Sequence, residues 1–453
     1  MAASLVIRPG GSDRGWLDRS LSIFAPVRAG EGVGALLLAA NVFLLLAAYY
    51  IFRPVRESLI LTEGGAEVKS YASAGQALLL LLVIPAYGAF ASKVNRIRLI
   101  TWVSLFFISH LLIFAYLGSR GVHVGVAFFL WVGIFNVLVI AQFWAFANDI
   151  YTEEQGKRLF AIVGVGASLG AWVGAWVAGL LFSRLGPYQL MILSALVLLA
   201  CILASHIANR HEAAGPEAKI QAAQEPLRKE GGFRLIAKSR YLALIAALIV
   251  LLNVVNTTGE FLLGKLVVQA ADQYVRGLLN GAVALSAEAE TLKRTFIGEF
   301  YGNFYSWVNL LALLFQLFLV SRIFKYIGVR GALFILPCIA LGGYGMLLAF
   351  PLLGAVRIAK VLENSTDYSI QNTARHALFL PTSREAKYKA KAAIDTFFWR
   401  AGDVLQAGVV FFGTRAAWDV GGFAGLNLIF VTLWLVIVAF VYREHKKLTR
   451  AQS

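Results

Sequence analysis

The sequence predicts an all-α membrane protein, with twelve transmembrane helices in two six-helix halves. Three observations carry that expectation. Of the 453 residues, 59% are hydrophobic and the mean hydropathy is +0.72, more apolar than a soluble domain requires. Apolar runs of roughly 20 residues, the length that crosses a bilayer core, recur along the whole chain. Lysine and arginine gather in alternate segments between those runs, as topology demands.

The runs fall at 33–52, 71–92, 97–118, 122–147, 159–183, 188–208, 240–262, 298–321, 329–350, 352–376, 390–413 and 419–442, with the tenth and eleventh the most polar. Arg8, Arg14, Arg19 and Arg28 precede the first run. Lys93, Arg96 and Arg98 follow the second. The basic middle segment carries Arg210, Lys219, Arg228, Lys229, Arg234, Lys238 and Arg240. Arg322, Lys325 and Arg330 follow the eighth run, and Arg443, Lys446, Lys447 and Arg450 close the chain. In this arrangement all of these share one side, and the other side has fewer, such as Arg120, Arg184 and Arg415. Both termini are therefore expected in the cytoplasm, with the protein in the inner membrane. The first thirty residues lack an apolar segment before a cleavage site, so no cleaved signal peptide is expected.

Residues 209–239, with Pro216, Glu225, Pro226 and a Gly231–Gly232 pair, read as a linker. The expected organisation is a 1–32 cytoplasmic segment, a 33–208 half, the 209–239 linker, a 240–442 half and a 443–453 tail. Short basic loops recur at the matching point of each half, at 91–96 and 320–325. Two parallel six-helix repeats are the architecture of the major facilitator fold. The long outward segment 263–297 is expected to be a helical extension or a lid.

Polar groups inside the runs point to a water-filled path, because a charge at the bilayer centre costs about 3 kcal/mol or more. Arg53, Arg56 and Glu57 share a face just past the first run, around Pro54. An alternative for them is anchoring at the headgroup level. The fourth run ends in Gln142, Trp144, Asn148 and Asp149. The seventh carries Asn253, Asn256, Thr257, Thr258 and Glu260, and the eighth aligns Glu299, Asn303 and Ser306. The tenth holds Asn364, Asp367, Tyr368, Gln371, Asn372 and Arg375; the eleventh aligns Lys391, Asp395 and Gln406. For a single Asn or Thr, hydrogen bonding between helices explains as much. Gly166, Gly170 and Gly174 form a stripe that lets another helix approach closely.

Other functions find little support in the residues. Cys201 and Cys338 lie in apolar runs and suit packing, and no metal or cofactor is implied. The net charge of +16 is explained by topology, and no nucleic-acid motif accompanies it. Residues 259–266 approach a phosphate-binding loop but lack its Ser/Thr and a preceding strand. No catalytic constellation is present, so no enzyme activity is expected.

Four stretches give the chain a family likeness: Tyr50–Glu57; Phe143–Ile150 followed by Gly156–Phe160 and the glycine-rich run; Glu260 with Lys265; and Lys389–Asp395. In these the chain resembles the ATP/ADP translocase family, the nucleotide exchange transporters of plastids and intracellular bacteria. The resemblance implies functional positions at Arg56, where the family has lysine, at Glu260 and Lys265, and at Lys391. A family glutamate in the fourth run aligns with Val132, and arginine at position 56 favours bidentate recognition over a point charge.

The expected function is exchange of ATP against ADP or a close analogue by alternating access, without an obligate protein partner. Arg53, Arg56 and Lys391, with Lys265 as a weaker candidate, would engage phosphates; Glu260 and Asp395 would pair with them when the site is empty. Tyr50, Trp144, Asn148, Glu299, Asn303 and Asp367 are candidates for the cavity wall, with Tyr49, Tyr50 or Trp144 able to stack on a base. The alternatives are a carrier for another organic anion, such as a sugar phosphate, and a membrane accessory protein that transports nothing.

Overall fold

The computed structural model describes residues 16–22, 25–91, 93–212, 231–279, 287–383 and 385–450. Arg8 and Arg14, most of the 209–239 linker and the tip of the 263–297 segment lie outside them. A short α1 (Trp16–Leu21) precedes α2 (Gly32–Ala91), α3 (Arg96–Ser119), α4 (Gly125–Ile150) and α5 (Glu153–Glu212). Then come α6 (Gly232–Lys238), α7 (Arg240–Leu278) and α8 (Ala287–Leu314), which runs through a π turn into α9 (Val320–Tyr326). After α10 (Gly328–Ala332) and α11 (Ile335–Ala349), α12 (Leu353–Thr366) passes through a π turn, Asp367–Gln371, into α13 (Asn372–Ala377). Two more π turns, Ala386–Ala390 and Ile394–Phe398, flank α14 (Lys391–Ala393) and lead into α15 (Trp399–Arg415); α16 (Val420–Arg450) follows.

Eight helical stretches among the described residues are long and apolar enough to cross a membrane. Two of them, α2 and α5, have 60 residues each. A straight helix of that length would measure about 90 Å, three times the hydrocarbon core. Both instead fold back at a glycine with left-handed backbone, Gly65 (φ +71°) and Gly186 (φ +70°), a conformation that a Cβ would oppose. Pro187 then opens the second arm of α5, where its missing N–H costs nothing. Contacts confirm the reversal. Asn41 in the first arm of α2 donates to the Cys201 carbonyl (2.8 Å) and Ser205 (2.7 Å) in the second arm of α5. Nearby Ala39 and Phe43 pack on Gly166 and Gly170 in its first arm.

The expected glycine stripe is the seam between these hairpins. A Cβ on Gly166, Gly170 or Gly174 would lie 2.3–2.5 Å from the backbone oxygens of Ala39, Phe43 and Ala47. Gly179 and Gly302 meet in the same way, so α5 also lies directly on α8. Further contacts between the earlier and later helices run from α2 to α7, α8 and α15.

Two expectations need correction. The first run was expected to end at residue 52, yet α2 continues through Pro54 to the Gly65 bend, about three more turns. Proline removes one backbone donor, but its φ suits a helix, and the surrounding bundle holds the helix together there. Arg53, Arg56 and Glu57 therefore sit inside the bundle, and headgroup anchoring is excluded. The 263–297 segment is helical to Leu278 and again from Ala287, so it extends its helices. The near-match to a phosphate loop at 259–266 lies within α7 and forms no loop. Cys201 is buried as expected, but Cys338 is exposed on the bundle surface.

Candidate functional site

A cavity of about 800 Å³ lies among α2, α4, α5, α8 and the α12–α13 junction. Its wall includes Tyr49, Tyr50 and Arg53 of α2, Asn136 of α4, and Phe160, Gly164 and Ser168 of α5. Asn309, Gln316, Tyr368, Asn372 and Thr373 complete the polar part. The α5 residues belong to its first few turns, so the cavity occupies the half of the bundle nearer the basic loops. The π turn at Asp367–Gln371 aims Tyr368 into it: Tyr368 is 39% exposed while Asp367, Ser369, Ile370 and Gln371 are buried.

Arg53 is the one cation among these lining residues. Its guanidinium donates to Tyr50 Oη (3.0 Å) and Tyr368 Oη (3.2 Å) and lies 4.1 Å from the Tyr305 ring centre. No carboxylate pairs with it among the described residues, and its Nε–H is buried without an acceptor. Neutral hydroxyls and ring faces hold the arginine in place without cancelling its charge. The arrangement suits an anion that supplies the missing acceptors.

One turn deeper, the charges are compensated. Glu57, fully buried, accepts from Arg56 Nε at 3.0 Å and pairs with Lys69 Nζ at 2.7 Å. Lys69 lies 4.0 Å from Glu260, and Glu260 lies 3.7 Å from Lys360. Lys360 pairs with Glu363 at 3.2 Å and donates to Asn256 Oδ1 at 2.6 Å. Asn364 donates to Glu260 (2.9 Å), and Tyr344 donates to Glu363 (2.9 Å). Three cations and three carboxylates thus form one chain from α2 to α7 and α12, with formal charges that cancel. Gly259 makes room for it: a Cβ there would collide with the Tyr344 hydroxyl and touch the Lys360 stem. Tyr305 joins cavity and chain, its ring under Arg53 and its hydroxyl 3.3 Å from Glu57.

Beyond the chain, away from the basic loops, contacts between earlier and later helices continue. Lys265 pairs with Glu67 at 3.5 Å and Arg294 donates to Tyr188 Oη at 2.7 Å. Ser58 donates to the Arg294 carbonyl, and Phe182 packs on Gly298. At the basic end, Arg158 holds Glu31 through two bonds of 2.8 Å. That arginine beside it keeps the Glu31 carboxyl below the usual glutamate range.

The residues singled out from sequence divide among these places. Arg53 and Tyr50 line the cavity, while Arg56 and Glu260 belong to the ion chain. Lys265 is in the pair beyond it. Lys391 stands apart, 6.0 Å from the Phe379 ring centre, and Asp395 lies one turn further on, in a π turn. Trp144 packs edge-on against Phe160, and Asn148 is exposed near the end of α4. Glu299 is half-buried, Asn303 accepts from Arg357 (2.6 Å), and Asp367 is buried beside the cavity. Val132 is fully buried; α4 presents Asn136, one turn on, to the cavity. Sequence reasoning missed Lys69, Lys360, Glu363, Tyr305 and Asn309. The i, i+3 spacing of Lys360 and Glu363 in a membrane run was the available signal for that pair.

Residues 126–445 match the TLC ATP/ADP transporter family. This chain belongs to that family. It is 23% identical to ADP,ATP carrier protein 5 of Rickettsia felis, over 96% of this chain and 99% of that one. It is 24% identical to ADP,ATP carrier protein 1 of Chlamydia pneumoniae, over 66% of this chain and 63% of that protein. Among solved structures, the nucleoside transporter NupG matches with a TM-score of 0.60 at 13% identity, covering 91% of this chain and 99% of that chain. A POT family transporter, in complex with 5-aminolevulinic acid, matches with a TM-score of 0.63 at 13% identity, covering 92% and 97%. At such identities the structural matches establish a shared fold. The chain is thus a multi-pass membrane transporter, with Arg53 on the wall of its cavity.

Proposed function

We propose that this protein exchanges nucleotides, ATP against ADP or a close analogue, across the inner membrane by alternating access. The family match and the carriers named above support the substrate class. The observation that carries the reading is Arg53, a cation with no carboxylate partner, on the wall of a cavity large enough for a small organic anion. Its phosphates would take the acceptor role that the arginine lacks. Tyr50 offers a face for the base, and Asn309, Asn136 and Gln316 offer amides for its edge.

In this reading the chain crosses the membrane twelve times, in halves spanning 33–208 and 240–442, with both termini in the cytoplasm. The cavity then faces the cytoplasm, and the ion chain with the Lys265–Glu67 pair seals the other side. Opening outward parts the two pairs that link the halves, Lys69–Glu260 and Lys265–Glu67, and turns those lysines toward a substrate arriving from outside. Lys391 and Asp395 act near the basic end, outside the cavity wall, as a rim that attracts anions and is screened when empty.

One observation favours a second reading. A single cation on the wall also matches a substrate of lower charge, such as a sugar phosphate. Uptake of labelled ATP and ADP into bacterial cells expressing the protein separates the two. Saturable uptake, displaced by unlabelled nucleotide but not by sugar phosphate and lost in Arg53→Ala and Glu260→Ala, is the expected result. Displacement by sugar phosphate alone favours the second reading.

A further inference from the structure

A second concavity, about 350 Å³, lies outside the transport path between the start of α7 and the end of α16. Arg240, Phe440, Arg443, Glu444, Lys446 and Lys447 line it. Its one carboxylate is engaged, since Glu444 accepts from Lys447 at 2.9 Å. Arg240, Arg443 and Lys446 are exposed, and none is within ion-pair distance of a carboxylate among the described residues, though Arg240 also acts on the Glu444 carboxylate beside it. Topology alone would place basic residues at these helix ends. It does not require that two distant segments converge their cations on one hollow.

The hollow's surroundings indicate what fills it. Ile429, Leu433, Val436 and Phe440 are all exposed and recur along one stripe of α16, which ends at the hollow. The cationic hollow therefore sits where a lipid-facing stripe meets the membrane surface. Apart from Phe440, every side chain in its wall is charged, so it offers no neutral amide to a nucleobase edge.

We propose that this hollow binds the phosphodiester headgroup of an anionic phospholipid, with an acyl chain laid along the α16 stripe. Arg240 and Arg443 grip the phosphate oxygens, and Lys446 adds charge from the rim. The site is separate from the cavity around Arg53 and carries no substrate.

Native mass spectrometry of the detergent-purified protein tests this, with phosphatidylglycerol, phosphatidylcholine and inorganic phosphate as probes. Phosphatidylglycerol should be retained and phosphatidylcholine not. Each cation removed should weaken retention about fivefold, so the Arg443→Gln/Lys446→Gln double variant should lose well over tenfold. Arg240→Gln should lose about fivefold, and Lys325→Gln, an exposed basic-end residue elsewhere, should match the wild type. Equal retention of both lipids would overturn the proposal. So would a double variant that keeps phosphatidylglycerol, or an equal loss in Lys325→Gln. Displacement of the lipid by inorganic phosphate would assign the hollow to a soluble anion instead.

Discussion

At the residue scale, Arg53 and Glu57 lie one turn apart and do opposite things. Arg53 keeps its charge available to the cavity, while Glu57 is consumed by two cations. Removing Glu57 leaves Arg56 and Lys69 facing each other in a buried space. Glu57→Gln should therefore destabilise the protein by about 3–5 kcal/mol, read as a lower thermal midpoint of the purified protein. A midpoint unchanged from wild type would mean that water reaches the pair. Arg53 should behave differently: Arg53→Gln leaves no buried carboxylate unpaired and should preserve the midpoint. Part of this was legible in the sequence. Two arginines and a glutamate at the end of an apolar run announce charges inside the bundle. Their sorting into one free and two compensated charges was not legible, because the partners Lys69, Glu260 and Tyr305 come from other helices or across a bend.

At the scale of elements, the two glycine-bent hairpins organise the fold. The stripe at Gly166, Gly170 and Gly174 was visible as four-residue spacing, and its partner, the backbone of α2, was not. Gly170→Val should force the seam apart, costing at least about 1–3 kcal/mol, and should lower the yield of monodisperse protein. A normal yield and midpoint would show that the seam yields easily. The sequence reading ended the first run too early because Pro54 and the charges after it resemble a helix stop. Tertiary packing overrides that local signal. The polar eleventh run was anticipated, but the π turns just before it and at its start were not, since they alter the register without altering composition. At the basic end, the Arg158 clamp ties α5 to the start of α2 through Glu31. Because the folded state holds that carboxyl's pKa below its unfolded value, the clamp stabilises fully at neutral pH. Its contribution is lost as pH falls through the glutamate range to the folded value. Thermal midpoints of wild type and Glu31→Gln should differ at neutral pH and converge on acidification; a constant gap would contradict this.

At the scale of the whole molecule, the charges divide the bundle into a half with the cavity and a half closed by ion pairs. The cavity occupies the basic half, and the electroneutral chain and the pairs beyond it close the other half. The chain is neutral as a whole, but parting it at Lys69–Glu260 leaves one net positive charge on α2 and one net negative charge on α7 and α12, so a barrier that opens there needs water or an anion to compensate them. Composition and loop charges made the membrane class legible, and the family likeness was readable from short motifs. What those motifs could not convey is that their cations stand in different places, with Arg53 in the cavity, Arg56 in the chain, Lys265 beyond it and Lys391 near the basic end.

On the proposed reading, Arg53 is the phosphate contact of a nucleotide exchanger. Its most direct test is counter-exchange in proteoliposomes loaded with ATP, following uptake of labelled ADP by wild type and Arg53→Gln. Wild type should take up ADP rapidly and only with internal nucleotide, with at least a tenfold loss in a variant that melts at the same temperature. Equal uptake by the two proteins, or wild-type uptake that ignores internal nucleotide, would contradict it.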